Sequence, residues 1–302
     1  MNPGVALVIG ESGQVGRHVA AALRARGWRV EGTTNEPPSG RLRQLDLLDE
    51  ASTRATIDEL RPALCVISGA LTNVERCEAE PGLAEALNAR APAMVAQACR
   101  AAGGRSVYLS TEYVFDGAAG PYGEEDPTCP ISVYGRTKLE GEQGVLAADP
   151  GALSIRTTVV FSFSPGDKNF LMQLIGRLAA GEPMRVPVDQ LSSPTWAPFL
   201  GETIAALPTA LSGILNVAGG EVMDRVAFAV RAATALGLDP GLILPAHTSE
   251  LGQRARRPLR AGLRVDRLTA LGFPPPGLEV ALAAVARARQ DAVAARTRSG
   301  AP

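Results

Sequence analysis

Three side chains can together deliver a proton: the Thr111 hydroxyl, the Tyr134 phenol and the Lys138 ammonium. Tyr134 and Lys138 are four residues apart in a segment of helix formers, a spacing that puts both on one helix face. A free phenol has a pKa of about 10 and is a poor acid near neutrality. A neighbouring ammonium favours the phenolate and lowers that pKa. Thr111 follows the apolar run Ser106-Val107-Tyr108-Leu109, which predicts a buried strand. Open α/β sheets bind ligands at the carboxyl ends of such strands. A hydroxyl, a phenol and an ammonium converging there on a nucleotide cofactor would suit the reduction of a carbonyl. Tyr-x-x-x-Lys alone is a weak signal, and its position downstream of a glycine-rich turn is what gives it meaning.

That turn is Gly10-Glu11-Ser12-Gly13-Gln14-Val15-Gly16, between a predicted strand at Val5–Ile9 and a helix that stops at Gly27. Gly10, Gly13 and Gly16 let the backbone approach a pyrophosphate, and Gln14 and Val15 open a helix whose free N–H groups attract anions. The second strand, 28–32, lacks the usual ribose-binding acid and runs into Thr33-Thr34-Asn35. Arg17 could face a 2′-phosphate, favouring NADPH while leaving NADH possible, or could be solvated on the first turn. A third strand is expected at 45–49. There Asp46, with Leu47 beside it, could meet the adenine, or Asp49 could simply cap the next helix. The fourth strand, 64–68, ends in Gly69-Ala70, small enough for the cofactor to pass, with Thr72 just beyond. Asn88, on a helix over 83–102, could order water behind Lys138 or cross-link the sheet edge. A sixth strand is expected over 153–160. Strands alternating with helices over 5–160 predict an α/β fold with a Rossmann-type, doubly wound parallel sheet.

Beyond Phe161 the pattern changes. A loop is expected over 162–168, then a helix over 169–180, and prolines break the chain into short pieces. This divides the chain into a dinucleotide-binding domain, 1–161, and a smaller C-terminal substrate-binding α/β region, 162–302, with segments returning to the sheet. Arg254 to Arg260 form a basic cluster that is either a solvated loop or a clamp for a substrate diphosphate. The last helix is expected over 277–295, with a frayed tail after it. The net charge of −1 argues against nucleic acid and an acidic membrane surface. No apolar run reaches the roughly 18 residues of a membrane span, and no leader is apparent, so a cytoplasmic protein is expected. Two histidines leave little for a metal site or a histidine triad. The four cysteines show no Cys-x-x-Cys spacing and are expected to be reduced.

Taken together, these pieces resemble the extended short-chain dehydrogenase/reductases, and among them the dTDP-4-dehydrorhamnose reductase branch. The matching pieces are Gly10 to Gly16, Thr72 to Pro81, Asn88, Ser110 to Gly117, Val133 to Lys138, Arg156-Thr157, Asn169-Phe170, Ser193-Pro194-Thr195 and Arg257-Pro258. The resemblance implies hydride transfer from NADPH or NADH to C4 of a nucleotide-linked 4-keto-6-deoxysugar. It implies carbonyl polarisation by Thr111, proton donation by Tyr134, and ribose binding with pKa lowering by Lys138. It also implies sugar contacts from Thr72, Glu112, Tyr113, Val159, Asn169 and Arg257, and admits a homodimer. Four positions depart from the family pattern: Glu112 for an Asp, Val159 for an aromatic beside the sugar, His18 for a carboxylate at a metal site, and Ala261 for a Ser. A branch of the same fold, the regulatory subunit of methionine adenosyltransferase, shares several motifs and is the non-enzymatic alternative. An epimerase or dehydratase, with Glu112 as the extra proton carrier, is the alternative reaction.

Overall fold

Seven strands build one parallel sheet; Val5–Ile9, Leu64–Ile67 and Arg105–Thr111 at its centre are rich in Val, Ile and Leu and buried on both faces because helices cover both sides, while the edge strand Arg43–Gln44 is exposed. The computed structural model describes residues 4–37, 40–164 and 167–299. Its first part contains β1 (Val5–Ile9), α1 (Gln14–Ala25), β2 (Arg29–Thr34), β3 (Arg43–Gln44), α2 (Glu50–Leu60) and β4 (Leu64–Ile67). There follow α3 (Val74–Ala79), α4 (Pro81–Glu85), α5 (Ala91–Ala101), β5 (Arg105–Thr111), α6 (Val133–Ala148) and β6 (Leu153–Thr157). Next come β7 (Val160–Phe161), α7 (Phe170–Ala179), β8 (Met184–Pro187), β9 (Leu191–Ser192), β10 (Thr195–Trp196), α8 (Ala197–Ala206) and β11 (Gly213–Asn216). The chain continues through β12 (Met223–Asp224), α9 (Arg225–Ala235), β13 (Ile243–Ala246), α10 (Asp266–Ala270) and α11 (Leu278–Ser299).

The main sheet has the order β11-β6-β5-β4-β1-β2-β3, with every pair parallel. The chain moves outward from β1 to β3, then crosses back to β4 and moves the other way. The reversal opens a crevice beyond β1 and β4, the switch point at which such sheets bind ligands. In β1, Ala6 and Val8 pack against Val19, Leu23 and Leu200, while Leu7 and Ile9 pack against Ile57, Val95 and Tyr108 on the opposite face. A second core gathers Phe161 of β7 with Leu171, Leu174, Phe228 and Leu282 from α7, α9 and α11. The second half also returns to the main sheet, since β11 pairs with β6.

Three expectations change. The third strand is Arg43–Gln44, and 45–49 is the turn after it, which bends because Asp46 Oδ1 accepts from Leu48 N at 2.9 Å. The long strand over 153–160 stops at Thr157, because Val159 turns into the left-handed region at φ +40°. A β-branched residue rarely adopts that backbone, and the turn sends β7 away to pair with β10. The last helix continues to Ser299, past the expected tail boundary. Residues 300–302, and 165 and 166 of the expected 162–168 loop, lie outside the described residues.

Candidate active site

The glycine turn is shaped by close packing. Gly10 has φ +83°, and a side chain there would also meet Gly69 N at 2.9 Å. Gly13 N donates to Gly10 O at 3.0 Å. A Cβ on Gly16 would collide with the Gly10 carbonyl, so α1 lies directly on the turn. No side chain caps the start of α1 at Gly13, which leaves its first N–H groups for an anion. Val15 packs into the core, and Gln14 donates to Ser162 Oγ at 2.8 Å. Gly69 and Ala70 line the crevice half-buried, and Thr72 is exposed beyond them. Leu47 is buried below exposed Asp46, and Asp49 caps α2 by accepting from Ser52 N at 3.0 Å.

Arg17 is not turned toward the end of β2. Its guanidinium grips Asp167, with Nη2 2.5 Å from Oδ2, on the β6–β7 side of the molecule. Asp167 is 3% exposed, and Ser162 Oγ donates to the same carboxylate. A buried carboxylate requires such a partner, so in this structure Arg17 is held by Asp167 rather than set toward a 2′-phosphate at the end of β2. What the β2 end offers is hydroxyls: Thr33 Oγ1 accepts from Gly10 N at 3.2 Å, and Thr34 Oγ1 accepts from Glu36 N at 3.1 Å.

β5 carries Thr111 to its end, where Oγ1 accepts from Tyr113 N at 3.3 Å and the hydroxyl lies close enough to the Tyr134 phenol to lower its pKa. Ser132 caps α6 by accepting from Gly135 N at 3.1 Å. Gly135 is pressed against the Tyr113 carbonyl, so the first turn of α6 sits on the chain leaving β5. The Tyr113 and Tyr134 rings meet edge to face, 5.3 Å between centroids. Lys138, on the next turn, is 2% exposed; Nζ donates to Leu109 O at 2.5 Å and lies 4.0 Å over the Tyr108 ring. Burial pushes its pKa down to about 7.

Burial raises the Tyr134 phenol, and the Thr111 hydroxyl opposes that rise. Lys138 was expected to lower the phenol, but its ammonium is spent on the Leu109 carbonyl and Thr111 takes that part. Tyr134 therefore carries its proton at neutral pH. Asn88 makes a cross-link. Within a π-helical turn at Ala86–Arg90, Oδ1 accepts from Leu71 N at 2.8 Å, and Nδ2 donates to Leu71 O at 3.0 Å and Thr137 Oγ1 at 3.2 Å. It fixes the backbone beyond Ala70 to the helix turn that carries Lys138.

The opposite wall has unmet polar atoms. Glu112 is buried beside Thr111 with Oε2 unbonded, and burial raises its carboxyl well above the usual range against the pull of Arg225. The Tyr113 phenol faces Arg257 and Arg225. Arg257 pairs with Glu75 at 2.8 Å, yet its Nη1, like Arg225 Nε, has no acceptor. Of the basic cluster, Arg257 is therefore the residue at the site. Arg225 escaped the sequence reading. Its signal was a cation in the first turn of α9, where the helix dipole disfavours one.

Asn169 caps α7: Oδ1 accepts from Met172 N at 2.9 Å and Nδ2 donates to Ser162 O at 3.0 Å. Val159 stands half-buried at the break after β6, with its carbonyl accepting from Thr195 N at 3.2 Å. His18 is partly buried against α8.

Residues 5–290 match the family model described as RmlD substrate binding domain. The dTDP-4-dehydrorhamnose reductase of Streptomyces griseus is 37% identical over 276 residues, 89% of this chain and 88% of that protein. The enzyme of the same name from Mycolicibacterium smegmatis is 35% identical over 299 residues, covering 94% and 87%. Among solved structures, the Bacillus anthracis dTDP-4-dehydrorhamnose reductase in complex with NADP superposes with a TM-score of 0.86 at 27% identity, covering 93% of this chain and 98% of that one. A match of this length, on a sheet and crevice of this form, makes the chain a member of the RmlD substrate-binding-domain family, within the extended short-chain dehydrogenase/reductases.

Proposed function

We propose that this chain is an NADPH-dependent oxidoreductase that reduces the keto group of a nucleotide-linked 4-keto-6-deoxysugar of the dTDP-4-dehydrorhamnose type. The observation that carries the reading is the meeting of the Thr111 hydroxyl and the Tyr134 phenol, one helical turn from Lys138 and beside the glycine crevice. The crevice fits a dinucleotide: Gly10 and Gly16 let the turn, α1 and the end of β4 pack too closely for any side chain, and the uncapped start of α1 offers N–H groups to a pyrophosphate. When bound, the cofactor supplies the hydride. Gly10, Gly13, Gln14, Val15 and Gly16 would hold its phosphates, Asp46 and Leu47 its adenine side, and Gly69, Ala70 and Thr72 its passage to the nicotinamide end.

As hydride reaches the carbonyl carbon, negative charge develops on the oxygen. Thr111 and Tyr134 meet that oxygen as two donors fixed in advance, an arrangement that lowers barriers by several kcal/mol, about 3 per donor. Tyr134, protonated at neutral pH, gives its proton to form the alcohol. The phenolate left behind would be steadied by Thr111, while the Lys138 ammonium would contact the cofactor ribose. Glu112, Tyr113, Arg225 and Arg257 line the side on which the nucleotide sugar binds. An enzyme of this kind works among reduced cytoplasmic metabolites, in keeping with four free cysteines.

The test is NADPH consumption with dTDP-4-keto-6-deoxyglucose, alone and with the 3,5-epimerase that converts it to the rhamnose precursor. Stoichiometric alcohol formation is expected. Turnover without net NADPH loss would instead point to epimerisation, and no turnover on any keto-sugar, with capture of a synthetase subunit, to a regulatory role.

A further inference from the structure

Tyr134, Lys138 and Glu142 recur every four residues along one face of α6. Glu142 is 2% exposed and fully bonded: Oε1 accepts from Arg156 Nη2 at 2.6 Å, while Oε2 accepts from Arg156 Nε at 3.1 Å and Ser154 Oγ at 3.0 Å. Arg156 is equally buried, lies over the Phe115 ring, and donates through Nη1 to Glu124 O at 3.1 Å. In the sheet, Arg156 pairs with Ser110, the residue before Thr111. A two-pronged ion pair thus joins the helix bearing Tyr134 and Lys138 to the strand beside Thr111.

The groups facing Lys138 come from its own helix and two other elements. α6 presents Tyr134 and Glu142, β5 presents the Tyr108 ring and the Leu109 carbonyl, and α3 presents Cys77. Tyr108 and Tyr134 are held neutral by burial, and Cys77 is pushed up to about 11. Among these groups Glu142 is the one anion at neutral pH. Its charge raises Lys138 against desolvation and is also felt by Tyr108 between them.

We propose that Glu142, clamped by Arg156, is a positioning residue that keeps the buried Lys138 ammonium charged and facing the cofactor ribose. This rests on the role of Lys138 given above. Desolvation opposes a buried ammonium, and Leu109 O and the Tyr108 ring offer dipoles but no net charge. A full negative charge one turn away, unable to swing off because Arg156 and Ser154 hold both its oxygens, is the countering element. The sign follows: without that charge the folded-state pKa of Lys138 falls further, and the cationic form is lost at a lower pH.

The chain contains only two lysines, Lys138 and Lys168, so the titration can be observed directly. Protein labelled with 13C at the lysine ε-carbon and carrying Lys168→Arg gives one signal, from Lys138. Its midpoint is expected to fall by about one pH unit in Glu142→Gln, the lower end for one charge at this range, and by less in Glu142→Asp, which keeps the charge but draws it back. The double variant Glu142→Gln/Arg156→Leu, which removes both charges of the pair, is expected to fold and to lower the midpoint less than Glu142→Gln, which leaves the Arg156 cation unopposed. The alkaline limb of kcat/KM for keto-sugar reduction should move with the midpoint. Midpoints within about 0.2 units across the set would overturn the proposal and leave the pair a purely structural clamp; that threshold is small against the one to three units a close charge produces. If neither neutral variant folds, the comparison of wild type with Glu142→Asp decides alone. Midpoints that fall while the kcat/KM limb stays fixed would uphold the charge effect and sink the role of Lys138, as would a Lys138→Met enzyme with unchanged NADPH affinity and turnover.

Discussion

Two buried glutamates stand close to the catalytic stretch, and their surroundings are opposite. Behind Lys138, Glu142 has both oxygens bonded to Arg156 and Ser154. On the wall next to Thr111, Glu112 has an oxygen with no donor, Arg225 and Arg257 have buried nitrogens with no acceptor, and burial pushes the Glu112 carboxyl toward its neutral form. A buried polar atom left unmet costs about 1–3 kcal/mol, so a protein keeps several together only where something else meets them. On the proposed function, the closed glutamate belongs to the part that holds the chemistry still and the open one to the part that would receive the ligand.

Substitutions sharpen that contrast. The largest effect apart from Tyr134 is expected at Thr111. Thr111→Val keeps the shape and removes a donor to the carbonyl oxygen, so kcat should fall by about 10²–10³ with NADPH affinity little changed; steady-state kinetics and a binding titration check both. On the closed side, Arg156→Leu strands Glu142 and should cost about 3–5 kcal/mol of unfolding free energy in denaturant titration. The double replacement with Glu142→Gln should recover most of that loss.

The open side should respond in the other direction. Because the folded-state pKa of Glu112 is raised, its stability contribution is intact below the unfolded carboxylate pKa and is lost as pH rises toward the folded value. Glu112→Gln should therefore leave the unfolding free energy unchanged near pH 4 and increase it at pH 8, by about 1.4 kcal/mol for each unit of the rise. Thermal and urea unfolding at the two pH values would show it. The smallest effect is expected at Arg17. With its guanidinium held by Asp167 rather than facing β2, Arg17→Ala should leave the ratio of NADPH to NADH affinity within about two-fold, less than the roughly 0.5 kcal/mol or more expected of a direct ionic contact; calorimetric titration of both cofactors measures it.

The two sides were not equally legible in the sequence. β1, β4 and β5 showed as apolar runs because both faces of a central parallel strand are buried, and Gly10, Gly13 and Gly16 because few residues fit that turn. Tyr134 and Lys138 showed because one helix face carries both. What stayed hidden depends on partners distant along the chain. Arg17 finds Asp167 150 residues later, and Asn169 reads equally as ligand or cap until Met172 N and Ser162 O are seen to occupy it. No composition signal marks Val159 as left-handed, and β-branching argues against it. One usable signal went unread: in a chain with only two lysines among thirty Lys and Arg residues, Lys138 stands where a guanidinium would not serve, being larger and unable to give up its proton.

The central claim is that Tyr134 is the proton donor to the keto oxygen. It is tested most directly by single-turnover reduction of the keto-sugar by Tyr134→Phe, with NADPH affinity measured on the same protein. The phenylalanine keeps the edge-to-face contact with Tyr113, so fold and cofactor binding should survive while the rate falls by about 10²–10⁴, the range for loss of a general acid. A Tyr134→Phe protein that binds NADPH normally and reduces the sugar within a few-fold of the wild-type rate would contradict it.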